Sequence, residues 1–314
     1  YSACVARPVT KQEARSNTKA MAALDKEWSK LRNMHCWDES MVEEWGVVAS
    51  RAKRNGTKVH IGRIFDICVE KNSELHESDP NRKFKGRVVF EGCYVKDEEN
   101  NWAIFSEIAS CPASMEASRC GDAFGMLPGH SIEVADGESA YTQAKLGGDL
   151  TYIRIPADRW PKEWVGKYRD PVVPLILALY GHPDAGGFWE LHCEKSLLEV
   201  GFTRAAQEWK SVFRHERLDL LLIIYVDDFK LAGPTKNLAQ GWKLISSKIK
   251  MEPAQPVGRF LGCHQSVGQL KLHQWSNPRY EWSLTNPCKK DPPVIFNANE
   301  FGLMKDGTRP TISV

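Results

Sequence analysis

Asp227 and Asp228 stand side by side inside an apolar stretch. Leu220-Leu221-Leu222-Ile223-Ile224-Tyr225-Val226 precedes them, Phe229 to Ala232 follows, and Gly233-Pro234 closes the run. Adjacent carboxylates at such a place have two uses. As a turn, Asp-Asp supplies side chains that hydrogen-bond the local backbone and does no chemistry. As a site, two acids held at a hairpin tip repel each other unless a hard cation neutralises them, and oxygen donors suit Mg2+ or Mn2+. A third carboxylate, Asp136, ends the short strand-like run Ile132-Glu133-Val134-Ala135. Whether the fold brings Asp136 to the pair separates the two uses.

The apolar, β-branched run before the pair reads as a strand buried on both faces. Strand, acidic turn, strand is a hairpin over 220–232 with its carboxylates at the tip. Around it the order is strand (131–136), helices (172–200), hairpin, helix (236–249), strand (259–266). That is a βαββαβ unit, a split antiparallel sheet with helices on one face. Its crossover returns the chain beside the first strand, which predicts Asp136 next to Asp227 and Asp228. Trp189, Cys193, Leu197 and Val200 share one face of a helix from about Phe188, with Gly201 placed to end it and Gly181–Gly187 a breaker before it. His192 lies near that face without a second ligand at metal spacing and reads as structural. Leu238, Trp242, Ile245 and Ile249 mark the later helix, with Thr235 as its N-cap.

Toward the N-terminus, Met21, Leu24, Trp28 and Leu31 recur at helical spacing, and Val59 to Glu70 reads as a strand. Arg82-Lys83-Phe84-Lys85-Gly86-Arg87-Val88-Val89-Phe90 is a basic patch entering an apolar strand. It is either a solvated edge strand or a clamp for phosphates, in which Arg gives a planar fork and Lys a point charge. The stretch from Trp102 to Arg119 reads as helical, broken at Pro112. Beyond Trp275 the pattern fades, with Pro287, Pro292 and Pro293 spoiling long elements.

Composition excludes more than it selects. Across 314 residues, 42 Lys and Arg face 40 Asp and Glu, so any electrostatic footprint for nucleic acid must be local. The nine cysteines are scattered and never spaced Cys-x-x-Cys, which argues for a reducing compartment and against a disulfide framework or a structural zinc site. No apolar run reaches membrane-spanning length. Tyr1 opens no signal-peptide pattern, and no initiating Met is present, which reads as a segment of something longer.

With these parts placed, the chain resembles the reverse transcriptase domain of copia-type LTR retrotransposon Pol polyproteins over roughly residues 17 to 267. Lys19-Ala20-Met21 matches that family's opening helix, and Lys85-Gly86-Arg87-Val88-Val89 stands where it writes Lys-Ala-Arg-Leu-Val. Asp136-Gly137-Glu138-Ser139-Ala140-Tyr141 matches its Asp-x-x-x-Ala-aromatic element. Gly148-Asp149-Leu150, Leu179-Tyr180-Gly181 with Phe188-Trp189, Tyr225-Val226-Asp227-Asp228 and Phe260-Leu261-Gly262 complete the ordered series. One segment departs from it. After Leu-Tyr-Gly the family has Leu-Lys-Gln-x-Pro-Arg, whereas here His182-Pro183-Asp184-Ala185-Gly186-Gly187 follows, with Asp184 near the place of the Gln.

The resemblance implies an α+β fold, a right-hand polymerase with a ferredoxin-like βαββαβ palm over 131–267. An N-terminal helix and fingers-like region would occupy 1–130, and a divergent tail or the start of a thumb or connection 268–314. It implies RNA- or DNA-templated DNA synthesis with two Mg2+ (or Mn2+) ions on Asp136, Asp227 and Asp228. Asp136 and Asp227 would bridge the ions and Asp228 would be peripheral. Lys85 and Arg87 would neutralise the triphosphate, Tyr141 would sit beneath the sugar, and Gly186 and Gly187 would contact the nucleotide. Tyr225 would pack and orient the hairpin. Implied partners are a primed RNA or DNA template, deoxynucleoside triphosphates and other Pol segments in a cytoplasmic or nuclear retroelement particle, with no membrane. Alternatives stay open: a degenerate copy that binds nucleic acid without polymerising, a nucleotidyl cyclase, whose glycine-rich hairpin turn is absent, and a βαββαβ RNA-binding module, whose sheet would need exposed aromatics.

Overall fold

In a computed structural model the chain is described over residues 6–105, 110–261, 263–265, 269–274, 280–285 and 294–297. It divides into two compact units, each assembled from separate stretches: Tyr1–Cys111 with Ser139–Lys195, and Pro112–Glu138 with Ser196–Val314. The elements begin with β1 (Ala6–Val9), α1 (Lys11–Ser16), α2 (Thr18–Asn33), β2 (Glu43–Glu44), α3 (Trp45–Asn55), β3 (Val59–Lys71), β4 (Lys83–Phe90) and β5 (Lys96–Asp97). Then come α4 (Met115–Gly125), β6 (His130–Asp136), β7 (Leu150–Arg154), β8 (Pro171–Pro174) and α5 (Ala185–Glu199), within which the chain passes from the first unit to the second. β9 (Thr203–Arg204), β10 (Val212–His215), β11 (Leu220–Tyr225), β12 (Asp228–Pro234) and α6 (Thr235–Ser246) follow. The rest is strand: β13 (Gln255–Pro256), β14 (Arg259–Phe260), β15 (Cys263–His264), β16 (Gln269–Gln274), β17 (Tyr280–Thr285) and β18 (Val294–Asn297).

The first unit is organised by β3, which pairs with β1, β4, β5 and β7. α2 starts where the Asn17 side chain accepts the otherwise unpaired N–H groups of Lys19 and Ala20. Its buried stripe is Ala20, Leu24, Trp28 and Leu31; Met21, expected there, is only half-buried. Trp28 packs edge-on to Trp37 at 5.7 Å, and its indole N–H donates to Asp66 at 3.0 Å. α2 lies so close to β4 that a Cβ at Gly86 would meet the Ala23 carbonyl oxygen at 2.7 Å and Leu24 Cα at 2.9 Å. Both are backbone atoms and cannot rotate away. Gly86→Ala is therefore expected to destabilise this protein by about 1–3 kcal/mol, the usual range for overpacking. A denaturant midpoint equal to that of the parent would show that α2 shifts without penalty.

The second unit holds a six-stranded antiparallel sheet in the order β13-β6-β12-β11-β10-β9. β6, β11, β12 and β13 follow the expected strand order of a split unit, with the first strand between the third and the fourth. Leu222 and Ile223 are both fully buried although they point to opposite faces, so the sheet is covered on both sides rather than one. α6 packs over Leu220 and Leu231, and its Trp242 donates to Glu133 at 2.7 Å. α4 covers the other face, where a Cβ at Gly121 would come within 2.5 Å of Ile223 Cδ1.

Several expected elements are corrected. Residues 172–174 belong to strand β8, not a helix, because Val172 and Val173 are β-branched and wholly buried between β7 and β2. The helix expected across 102–119 begins only at Met115, capped by Ser114, whose hydroxyl accepts the Ala117 N–H. The last strand of the split unit is β13, hydrogen-bonded to β6. β14 instead pairs antiparallel with β15, Arg259 opposite His264 and Phe260 opposite Cys263, and the φ of Leu261 is 50°. Thr235 is the first residue of α6 rather than its cap. The tail is not featureless either, since β16, β17 and β18 pair as an antiparallel sheet.

Candidate active site

Asp136 and Asp228 face each other directly across the β6–β12 ladder. Strand alternation puts both side chains on one face of the sheet, together with Tyr225, the cross-strand neighbour of Asp228 on β11. Asp227 occupies the turn, and its carbonyl accepts the Gly137 N–H at 2.7 Å, tying the hairpin tip to the end of β6. The Asp136 carbonyl accepts the Glu252 N–H at 2.8 Å from the opposite side. Asp136 and Asp227 are exposed and Asp228 is half-buried. Tyr225, expected to pack and orient the hairpin, is 39% exposed.

The turn itself is strained. Val226 has φ 58°, at the first of two hairpin-turn positions, where a β-branched side chain crowds the backbone and glycine is the usual occupant. Such a conformation costs about 1–3 kcal/mol and persists only where its surroundings hold it. Here the Gly137–Asp227 hydrogen bond and the two flanking ladders do so.

Like charges on directly opposite strand positions destabilise a sheet, so an oxygen-seeking cation fits this edge chemically. Among the described residues no group of three or more His, Cys, Asp or Glu side chains is arranged as a metal cage. Mg2+ does not need one, since it keeps several waters and uses one or two carboxylates plus substrate phosphates. Lys230, two residues past Asp228 on the same face, is fully buried. The sequence reading passed over it inside an apolar run.

In the first unit, Lys85 and Arg87 share a face of β4, opposite Val69 and Ile67 of β3. Arg82, grouped with them in the sequence, is committed to Glu70 at 2.8 Å. The Arg87 guanidinium lies over the Tyr180 ring, 5.3 Å from its centroid, and the Tyr141 ring is 5.7 Å from the same ring. Tyr141 is half-buried in a short helical turn, against Ala144 and Ala178. Gly186 and Gly187 lie in the first turn of α5 rather than in a breaker, and Gly186 leaves room for Ser110.

The departing segment Gly181–Gly187 turns inward. His182 and Asp184 are 5% and 6% exposed, so Asp184 does not present the solvent-facing group that a Gln would. The His182 ring sits 4.9 Å from Phe90 and 5.2 Å from Phe105, and its Nδ1 accepts the Asp184 N–H at 3.2 Å. Nε2 meets no hydrogen-bond partner among the described residues. Burial, reinforced by nearby His60, depresses its pKa from 6.5 to about 4. Burial also lowers the pKa of His60, against the pull of Asp149, and raises that of Asp184.

The two histidines and the aspartate act with opposite signs. Between pH 6.5 and 4 the unfolded chain binds protons at His182 that the folded chain refuses, so stability falls as pH falls through that window. His60 works in the same direction. Asp184 opposes them, because its raised pKa lets the folded state gain a proton. From pH 7 to pH 5 the His182 contribution is a loss of about 2 kcal/mol. Urea titrations at the two values are expected to show it, and His182→Phe should remove most of the difference. An unchanged pH slope in that variant would exclude His182 as the source.

A family model described as reverse transcriptase (RNA-dependent DNA polymerase) matches residues 67–282, more than half the chain and a span that includes every candidate residue above. No curated protein matches the sequence.

Proposed function

Because this chain belongs to the reverse transcriptase (RNA-dependent DNA polymerase) family, typical of copia-type retrotransposon Pol polyproteins, we propose that it extends a primer on an RNA or DNA template by metal-assisted nucleotidyl transfer. In this reading the second unit's sheet is the palm and the β3–β4 region belongs to the fingers. Asp136, Asp227 and Asp228 hold two Mg2+ or Mn2+ ions, which when bound supply activation of the primer 3′-hydroxyl and stabilisation of the leaving pyrophosphate. Lys85 and Arg87 bind the triphosphate and offset the charge that grows on it. Tyr141 walls off the sugar's 2′ position. Partners are a primed template, deoxynucleoside triphosphates and other Pol segments within a copia-type particle, intracellular in the cytoplasm or nucleus. Among the described residues no helix is long and apolar enough to cross a membrane.

The observation that supports this most is the register setting Asp136 opposite Asp228 beside a strained acidic turn. One observation favours the second reading, a copy that binds nucleic acid without polymerising. Asp184 is buried where the family has a nucleotide-positioning Gln. Primer extension with purified protein, Mg2+ and both template types decides between them. Template-dependent extension supports the polymerase, and tight template binding with no extension supports the second reading.

A further inference from the structure

We infer that Tyr180 is a positioning residue for nucleotide selection, holding Arg87 and Tyr141 to one aromatic ring. The inference rests on the roles proposed above for those two side chains. Tyr180 was only part of a Leu-Tyr-Gly step in the sequence. In the fold it joins a three-membered assembly, guanidinium over ring at 5.3 Å and ring beside ring at 5.7 Å.

Main-chain contacts fix the backbone around Tyr180 from both sides. The Phe90 N–H, at the end of the strand that carries Arg87, donates to the Tyr180 carbonyl at 2.8 Å. The next residue, Gly181, has φ 91°, and any Cβ there would collide with the Phe90 carbonyl oxygen, so the close approach requires glycine. On the other side the Ala178 N–H donates to the Ala144 carbonyl at 2.9 Å, and the Ala144 N–H to the Tyr141 carbonyl at 3.0 Å. β4 and the turn bearing Tyr141 are thus both latched to the segment that ends in Tyr180.

Tyr180 is 49% exposed, so its ring and the two groups gathered on it are open to a ligand. A guanidinium held over an aromatic face, here with its central carbon 5.3 Å from the centroid, is placed without spending its N–H donors on an acid, which leaves them for a phosphate. No carboxylate forms an ion pair with Arg87 among the described residues, so the ring rather than an acid orients it. An acid would have neutralised the charge that a triphosphate needs. Ring contact with Tyr141 couples the same residue to the sugar wall.

The test compares Tyr180→Ala, Tyr180→Leu, Tyr180→Phe and Arg87→Ala in equilibrium binding of Mg-dTTP to protein on a dideoxy-terminated primer–template, and in extension with dTTP against UTP. Tyr180→Ala and Tyr180→Leu are expected to weaken dTTP binding about three- to tenfold, the worth of a cation–π contact of this exposure, with a smaller change in the maximal rate. Their preference for dTTP over UTP should fall. Tyr180→Phe keeps the π face and should stay within about twofold of the parent. Tyr180→Leu keeps bulk, so it separates the stacking role from mere packing should the alanine variant fold poorly. Weaker binding in Arg87→Ala but parental binding in a folded Tyr180→Leu overturns this inference and leaves the polymerase reading standing. A parent protein that fails to bind dTTP at all overturns both.

Discussion

If the proposed two-ion site is right, Asp136→Asn and Asp227→Asn are each expected to reduce primer extension by about a thousandfold or more, because each would remove charge that a pair of divalent ions needs. Affinity for primed template should change by no more than about twofold, since backbone tracking by basic and aromatic groups is a separate task from ion ligation. The substitutions are nearly isosteric and both aspartates are exposed, so the fold has little reason to respond. Gel-shift affinities and single-turnover extension measured on the same preparations separate the outcomes. Equal loss of binding and extension would make the carboxylates structural. Asp228→Asn adds a finer discrimination. The proposed peripheral role predicts a partial loss, whereas the register that sets Asp228 directly across from Asp136 allows a loss as complete as the other two.

How legible each part was depended on whether its cause was local. The hairpin and its acidic tip could be read because an aliphatic run of that length has few alternatives to a buried strand. The approach of Asp136 followed from the handedness of a crossover, a rule that needs only element order. α2 and α5 were readable from their stripes, the α2 stripe with a one-residue slip from Met21 to Ala20. The failures were of another kind. Val172 and Val173 carry strand propensity but sit next to the apolar run 175–180, and only pairing with β7 and β2 decides the matter. Gly86, Gly121 and Gly181 look like generic flexibility until the backbone or side chain pressed against each is known. The Arg87–Tyr180–Tyr141 assembly draws on three distant segments, and no spacing rule links them. The inward turn of His182 and Asp184 was hidden for a similar reason, because polar residues beside glycines ordinarily mark a solvated loop.

Lys230→Ala is expected to lower the stability of the protein by about 3–5 kcal/mol, the penalty for stranding one member of a buried ion pair. The Lys230 ammonium is wholly excluded from water. It donates to Asp122 at 2.7 Å and to the Ser118 hydroxyl at 2.8 Å, and it lies 4.4 Å from the centre of the Phe260 ring. Asp122 is 4% exposed and also accepts from Gln265 at 2.9 Å. Water is kept out because α4 rests almost directly on β11 and β12. Gly121 admits Ile223 and the Lys230 stem where any larger residue would hold the helix off. Removing the lysine therefore leaves a desolvated carboxylate with no room for a replacement solvent shell, and Asp122→Ala leaves the ammonium in the same position. The pair is not required for compactness, however, because two apolar side chains of similar volume avoid both desolvation penalties. Lys230→Met with Asp122→Leu should thus lose far less stability than the sum of those two single substitutions, with a coupling of about 3 kcal/mol or more in the double-mutant cycle they close. Additive single effects, or a loss below about 1 kcal/mol for Lys230→Ala, would mean that the site admits water and that the ions are not a buried pair. Because Lys230 shares a strand and a face with Asp228, the double variant also separates stability from chemistry. Parental stability with extension below that of the parent would show that the carboxylate strand needs this particular anchor and not just a filled core.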